Sequence, residues 1–178
     1  MTTPQYLKLG QLTFLLSFGL GSIIFVSYLI TGWDSLLVMG YAYVALTGLF
    51  NLAVVFLLLQ RAQQDRANSK ALYKRTGLLF VNIPVLLVYT WMVLYLLGTM
   101  RITLVNTTEF PLNDLQLVGC GGAALETLAP QQQKTLWVDI TGDCSIDLIY
   151  SSQGEQKTVP IVGYATSGMG GKMTYVVE

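Results

Sequence analysis

The chain has 178 residues, of which 53% are hydrophobic and only 11% are charged, whereas an ordinary soluble domain has roughly 25% charged residues. It contains no histidine, which excludes the commonest metal ligand and the commonest general base. Its net charge of zero combines two different halves, because residues 1–100 carry six basic and two acidic side chains and residues 101–178 carry four and eight. This composition predicts a membrane-embedded first half and a separate second half.

Three uncharged apolar segments in residues 1–100 are long enough to cross a bilayer, which needs about 20 residues per helix. They cover approximately residues 12–31, 35–60 and 77–99. The first run exceeds the length of a signal-peptide core, so we expect it to be retained as a span. Tyr and Trp side chains lie toward the expected outer ends of the spans, as in an interfacial belt.

The link at residues 61–75 sets the expected orientation, because short loops rich in Lys and Arg stay in the cytoplasm. Its basic residues are Arg61, Arg66, Lys70, Lys74 and Arg75. We therefore expect an integral protein of a bacterial inner membrane, with a cytoplasmic N-terminus and with residues 101–178 in the periplasm. The basic loop is helix-compatible and is expected to contact anionic lipid headgroups, not nucleic acid.

Small residues inside the spans predict where helices touch, since they allow backbones to approach closely in lipid. Ser17 and Gly21 have the small-xxx-small spacing, and Ala45 and Gly48 share a face of the second helix.

Two amides lie at comparable depths in the second and third spans. Asn51 and Asn82 are therefore predicted to form an interhelical hydrogen bond worth about 0.6–2 kcal/mol, with a polar substrate site as the alternative. Pro84 is expected to kink the third helix. No Asp, Glu, Lys or Arg lies within the spans, which argues against a self-contained coupled transporter.

Residues 101–178 show short runs of alternating apolar and polar side chains, separated by Asn, Pro, Gly and Gln turns. Five to seven short strands of this kind predict a small antiparallel β-sandwich. The expected strands are centred on 102–105, 115–117, 136–140, 146–150, 159–162 and 173–177.

Part of this half resembles the immunoglobulin-like adhesion or accessory domains of bacteria. The resemblance is carried by Ile102 to Asn106, by Leu115 to Gly119, and by the turn at Leu128-Ala129-Pro130 that leads into an alternating strand. It implies an immunoglobulin-like sandwich that binds or braces other proteins.

Cys120 and Cys144 both fall in the half that we place outside the membrane, where the compartment is oxidising. We expect a disulfide between them, worth roughly 3 kcal/mol; two separate buried thiols are the alternative. The glycine clusters 119–122 and 168–171 lack the Lys-Ser or Lys-Thr pair of a phosphate-binding loop. Bulges or tight turns are expected there, and residues 167–171 are also a candidate partner contact.

Together these features predict a protein with three transmembrane helices (residues 1–100) and an outer β-sandwich (residues 101–178), without a catalytic residue, metal or cofactor. The expected function is that of a non-enzymatic accessory or scaffolding subunit, with other integral membrane subunits and an outer-side protein as partners. The alternatives are a component of an oligomeric transporter or channel, in which further copies of this chain form a homo-oligomer, and a membrane-anchored sensor or ligand-binding protein.

Overall fold

The computed structural model describes all residues 1–178 and contains four helices followed by seven strands. The helices are α1 (Thr3–Thr31), α2 (Asp34–Gln64), α3 (Ser69–Phe80) and α4 (Asn82–Leu97). Three helical stretches are long and apolar enough to cross a membrane, namely Thr3–Thr31, Asp34–Gln64 and Ser69–Leu97. The three predicted spans are therefore confirmed as apolar helices, and each begins earlier than its apolar core.

Local sequence explains where α1 begins and ends. The Thr2 backbone N–H donates to Gln5 Oε1 at 2.7 Å, and a proline follows in the first turn, where a missing N–H is tolerated. At the other end, Gly32 adopts a left-handed conformation with φ of 69° and donates its N–H to the Tyr28 carbonyl. Glycine takes this conformation without steric cost, so α1 stops there and α2 begins two residues later.

The third stretch is broken near its middle. Helix α3 ends at Phe80, and α4 begins at Asn82 after a turn at Val81. Pro84 has no N–H to donate to the Phe80 carbonyl, and its ring crowds that carbonyl. The predicted kink is thus a break between two helices.

The basic segment is mostly helical, which agrees with its helix-compatible sequence, but the loop predicted over residues 61–75 is confined to a short turn. Arg61 belongs to α2, and Lys70, Lys74 and Arg75 belong to α3, so only Arg66 lies in the connecting turn. The turn is closed by the Asn68 N–H, which donates to the Asp65 carbonyl at 3.2 Å.

The chain forms two compact units, Met1–Thr90 and Trp91–Glu178, here called the helical unit and the β unit. Their boundary lies inside α4, earlier than the change in composition near residue 100. Within the helical unit, the buried side chains of α2 and α3 form one cluster around Leu58 and Leu72, both fully buried. Gly10 of α1 lies against this cluster, since a Cβ there would be 3.0 Å from Leu58 Cδ1.

The β unit contains two sheets. The strands are β1 (Thr99–Asn106), β2 (Leu112–Val118), β3 (Ala123–Leu128), β4 (Gln133–Asp139), β5 (Cys144–Ser152), β6 (Glu155–Ala165) and β7 (Lys172–Val177). One sheet has the order β4-β1-β7 and the other the order β3-β2-β5-β6. The pair β1–β7 is parallel and all other pairs are antiparallel, so the expectation of a wholly antiparallel sandwich is wrong for one pair.

Alternating leucine and isoleucine side chains from both sheets form the core of the β unit. Ile102 and Leu104 of β1 are fully buried, as are Leu115 of β2 and Leu148 of β5. A bulge in β2 carries Asp114 at φ of 52°, and its extra residue keeps both Leu112 and Leu115 facing the core.

The strand order bears on the resemblance to immunoglobulin-like domains. Immunoglobulin constant domains place strands A, B, E and D in one sheet and C, F and G in the other. In this chain β1 pairs with β4 and β7, while β2 pairs with β3 and β5. The strand order therefore differs from that of an immunoglobulin constant domain, and the resemblance to that family stays a prediction.

Candidate functional site

The predicted packing residues of the spans have different surroundings. Gly21 faces α2, because a Cβ on it would lie 3.4 Å from a ring carbon of Tyr43. Gly48 meets open space, and Ala45 is exposed. Ala45 and Gly48 therefore contact no other helix of this chain, and their role in helix packing stays a prediction.

The predicted hydrogen bond between Asn51 and Asn82 is also absent. Asn51 Nδ2 donates instead to Ser17 Oγ at 3.2 Å, and the Ser17 hydroxyl donates to the Thr13 carbonyl. Both amide atoms of Asn82 are buried without a hydrogen-bond partner. Asn51 thus connects α1 to α2, and Asn82 remains an unsatisfied polar group beside the break after α3.

A groove of about 470 Å³ runs between α1 and α2 on the side where Asn51 meets Ser17. Its walls are mostly leucine and phenylalanine, with Thr13, Ser17, Thr47 and Tyr43 as the polar side chains. The Tyr43 hydroxyl donates to the carbonyls of Leu16 and Ser17 at 3.1 Å, so it is already satisfied by α1. The groove is apolar and uncharged, which suits an apolar occupant.

Polar side chains tie the start of α1 to the turn between α2 and α3. Thr3 Oγ1 donates to Asp65 Oδ2 at 2.6 Å, and Arg61 Nε and Nη2 donate to Thr3 Oγ1 at 3.1 and 2.9 Å. The hydrogen bonds from Thr3 and then from Asn68 hold the pKa of Asp65 below its ordinary value. The single acid of the basic segment therefore has a structural role.

Most of the remaining basic side chains of this segment are exposed. Arg66, Lys70 and Lys74 are exposed, and Arg75 is half-buried. On the same helix Leu72, Thr76 and Leu79 are buried, so α3 is amphipathic over its first part. Helix α3 thus presents lysines on one side and packs its apolar side inward.

A disulfide joins Cys120 and Cys144, whose Cα atoms are 5.3 Å apart, as the sequence predicts. The glycine cluster 119–122 forms the turn that carries Cys120. Gly119 has φ of 101°, and a Cβ on it would overlap the Ser145 carbonyl oxygen. Gly121 donates its N–H to the Asp139 carbonyl at 2.7 Å. The cluster is therefore a tight turn held against β4 and β5, as the sequence predicts.

The second glycine cluster, 168–171, caps the end of α4. Gly170 donates its N–H to the Leu97 carbonyl at 2.9 Å, and a Cβ on Gly170 would lie 2.6 Å from the carbonyl carbon of Leu97. The next carbonyl, that of Gly98, accepts the N–H of Ile140 at 2.8 Å. Two carbonyls at the helix end are thus satisfied by other residues of the β unit, and only glycine at 170 permits this approach.

Next to this junction lies an aromatic pair that the sequence patterns did not identify. The rings of Tyr95 and Trp137 are stacked with their centroids 6.3 Å apart. The Arg101 guanidinium lies 5.9 Å from the centre of the Trp137 ring, and Arg101 and Trp137 are register partners of β1 and β4. The outward position of Trp137 in an alternating strand was visible in the sequence, but its nearness to the end of α4 depends on strand pairing.

No group of three or more His, Cys, Asp or Glu side chains lies close enough together to hold a metal ion. No protein-family model and no curated protein matches this chain. Among solved structures, an NMR structure of a protein from Eubacterium rectale is similar to 46% of this chain and 80% of its own, at 19% identity and a TM-score of 0.34.

Proposed function

We propose that this protein is a non-enzymatic accessory subunit of a larger membrane complex. Its three apolar helical stretches would lie in a bacterial inner membrane with the N-terminus in the cytoplasm, and the β unit would brace or dock a partner in the periplasm. The observation that carries the proposal is the apolar groove between α1 and α2, which α3 does not fill.

The groove supports helix docking for a physical reason. In lipid, helices associate through close packing and interhelical hydrogen bonds, because apolar side chains gain nothing by leaving acyl chains. A concave apolar surface with the partly exposed hydroxyl group of Thr47 offers both kinds of contact. The exposed face around Gly48 adds a place where a backbone can approach.

The orientation rests on the basic side chains around α3. Arg66, Lys70 and Lys74 are exposed and close in sequence, as expected of a segment at the anionic cytoplasmic surface. The disulfide between Cys120 and Cys144 favours an oxidising compartment for the β unit. These two features agree on one topology.

The test is extraction of the tagged full-length chain in a mild detergent, followed by measurement of the mass and composition of the particle. Two adjacent leucines provide a matched pair: Leu16 lines the groove and is 58% exposed, while Leu15 does not line it and is 51% exposed. Leu16→Trp is expected to release a stoichiometric membrane partner, and Leu15→Trp is expected to retain it.

Two results would contradict the proposal. Recovery of the chain as a monomer, or loss of the partner in both tryptophan variants, would remove the role of the groove. A pure homo-oligomer that Leu16→Trp dissociates would favour the second candidate, a transporter or channel built from several copies. The observation in favour of that candidate is the set of uncharged polar side chains, including Thr47, along the groove.

A further inference from the structure

The aromatic pair at the end of α4 is only partly covered by protein. Tyr95 is 52% exposed and Trp137 is 47% exposed, although large aromatic side chains are usually well buried. Tyr95 belongs to a helix and Trp137 to the outward face of a sheet, so the pair forms one surface made of two elements. We call these two residues the aromatic patch.

The patch has a fixed height relative to the end of α4. Tyr95 precedes the last helical residue, Leu97, by two positions, which corresponds to about 3 Å along the helix axis. The Trp137 ring is stacked on the Tyr95 ring and therefore lies at a similar height. The backbone holds it there, because Trp137 is paired with Arg101 and the neighbouring Asp139 is paired with Thr99.

The surface of α4 that leads to the patch is apolar. Trp91 and Leu94 are 69% and 62% exposed, and Tyr95 continues this surface to the end of the helix. Aromatic side chains with a polar tip are favoured at the boundary between acyl chains and headgroups. If α4 ends at such a boundary, the stacked Trp137 ring lies at the same level.

We propose that Trp137, a residue of the β sheet, inserts into the phospholipid headgroup zone of the leaflet that receives the end of α4. This inference rests on the membrane location in the proposed function. The occupant of the aromatic patch is lipid, because the patch continues the exposed apolar surface of α4. The β unit then has a membrane-facing side and is positioned by two contacts, the helix itself and the Trp137 ring.

The experiment uses the full-length chain in nanodiscs of phosphatidylcholine, with two variants that each retain one reporter. Trp33→Phe with Trp91→Phe leaves only Trp137, and Trp33→Phe with Trp137→Phe leaves only Trp91. Trp33 and Trp91 are 65% and 69% exposed, so phenylalanine at either position leaves the core unchanged. Phenylalanine at 137 retains a ring to stack on Tyr95.

Lipids brominated near the headgroup end or near the centre of the acyl chain quench tryptophan fluorescence by contact. The proposal predicts that shallow bromines lower Trp137 emission by about twofold or more, that deep bromines have a smaller effect, and that dissolved iodide quenches weakly. Trp91 is expected to be quenched more strongly by the deep bromines than Trp137 is.

Two results would overturn the inference, and they differ from each other. If Trp91 is quenched by brominated lipid while Trp137 is quenched only by iodide, the helix is in the membrane and the aromatic patch faces water or a protein. If neither tryptophan is quenched by brominated lipid, the membrane location fails together with the inference.

Discussion

Replacement of Gly170 by alanine tests the packing of the glycine loop 168–171 against the end of α4, within the β unit. The new Cβ would overlap the Leu96 carbonyl oxygen and would lie 2.6 Å from the carbonyl carbon of Leu97. The loop must move away, and it must then give up the hydrogen bond from the Gly170 N–H to the Leu97 carbonyl. Both neighbouring groups are backbone atoms, so no side-chain rotation can relieve the overlap.

The expected cost has two parts. Overpacking typically destabilises by about 1–3 kcal/mol, and the lost hydrogen bond adds about 0.5–1.5 kcal/mol. A change of about 2–3 kcal/mol lowers the Tm of a unit of this size by roughly 10–20 °C.

The adjacent glycine provides the control. A Cβ on Gly171 would approach nothing closer than the Met169 carbonyl oxygen at 3.9 Å, so Gly171→Ala should change stability by less than about 0.5 kcal/mol. Thermal unfolding is measured on the purified full-length chain in detergent, with Trp137 as the only tryptophan. A Gly170→Ala variant with the same Tm as the Gly171→Ala variant would refute the role assigned to this loop.

Three further predictions concern other parts of the chain. Asn51→Leu should destabilise the helical unit by about 0.6–2 kcal/mol, whereas Asn82→Leu should be neutral or stabilising. Unfolding in detergent distinguishes the two variants. Equal losses of stability would favour a direct hydrogen bond between the two amides. The pKa of Asp65 is lowered, so its contribution to stability is present at neutral pH and is lost as the pH falls through that lowered pKa. Asp65→Asn should therefore flatten the fall in Tm below pH of about 4, and an unchanged acid profile would contradict this assignment. Replacement of both Cys120 and Cys144 by serine should destabilise the β unit by roughly 3 kcal/mol. Its Tm is compared with that of the wild type without reductant, and an unchanged Tm would contradict this prediction.

The unit that contains each replaced residue determines which unfolding signal should change. Gly170 and the disulfide act within the β unit, so their effects should appear in the fluorescence of Trp137. Asn51 and Asp65 belong to the helical unit, so their variants should leave that signal unchanged. A variant of the helical unit that lowers the Trp137 transition would show that the two units unfold together.

The sequence by itself determined the properties that depend on neighbouring residues along the chain. Uninterrupted apolar runs predicted three helices, because every backbone polar group in lipid must be satisfied within its own segment. The Gly32 stop, the interruption near Pro84 and most strands follow from the same kind of local signal. Strand β3 was missed because the segment from Ala123 to Leu128 has only two leucines among small and polar residues.

The tertiary structure decided which polar and aromatic groups face each other. Depth in the span favoured Asn82 as the partner of Asn51, but the rotation of the helices presents Ser17 instead. Likewise, the alternating pattern identifies Trp137 only as an outward residue of a strand, whereas the pairing of that strand with β1 places its ring against Tyr95. Helix rotation and strand register are set by long-range packing, and no spacing within one segment records them.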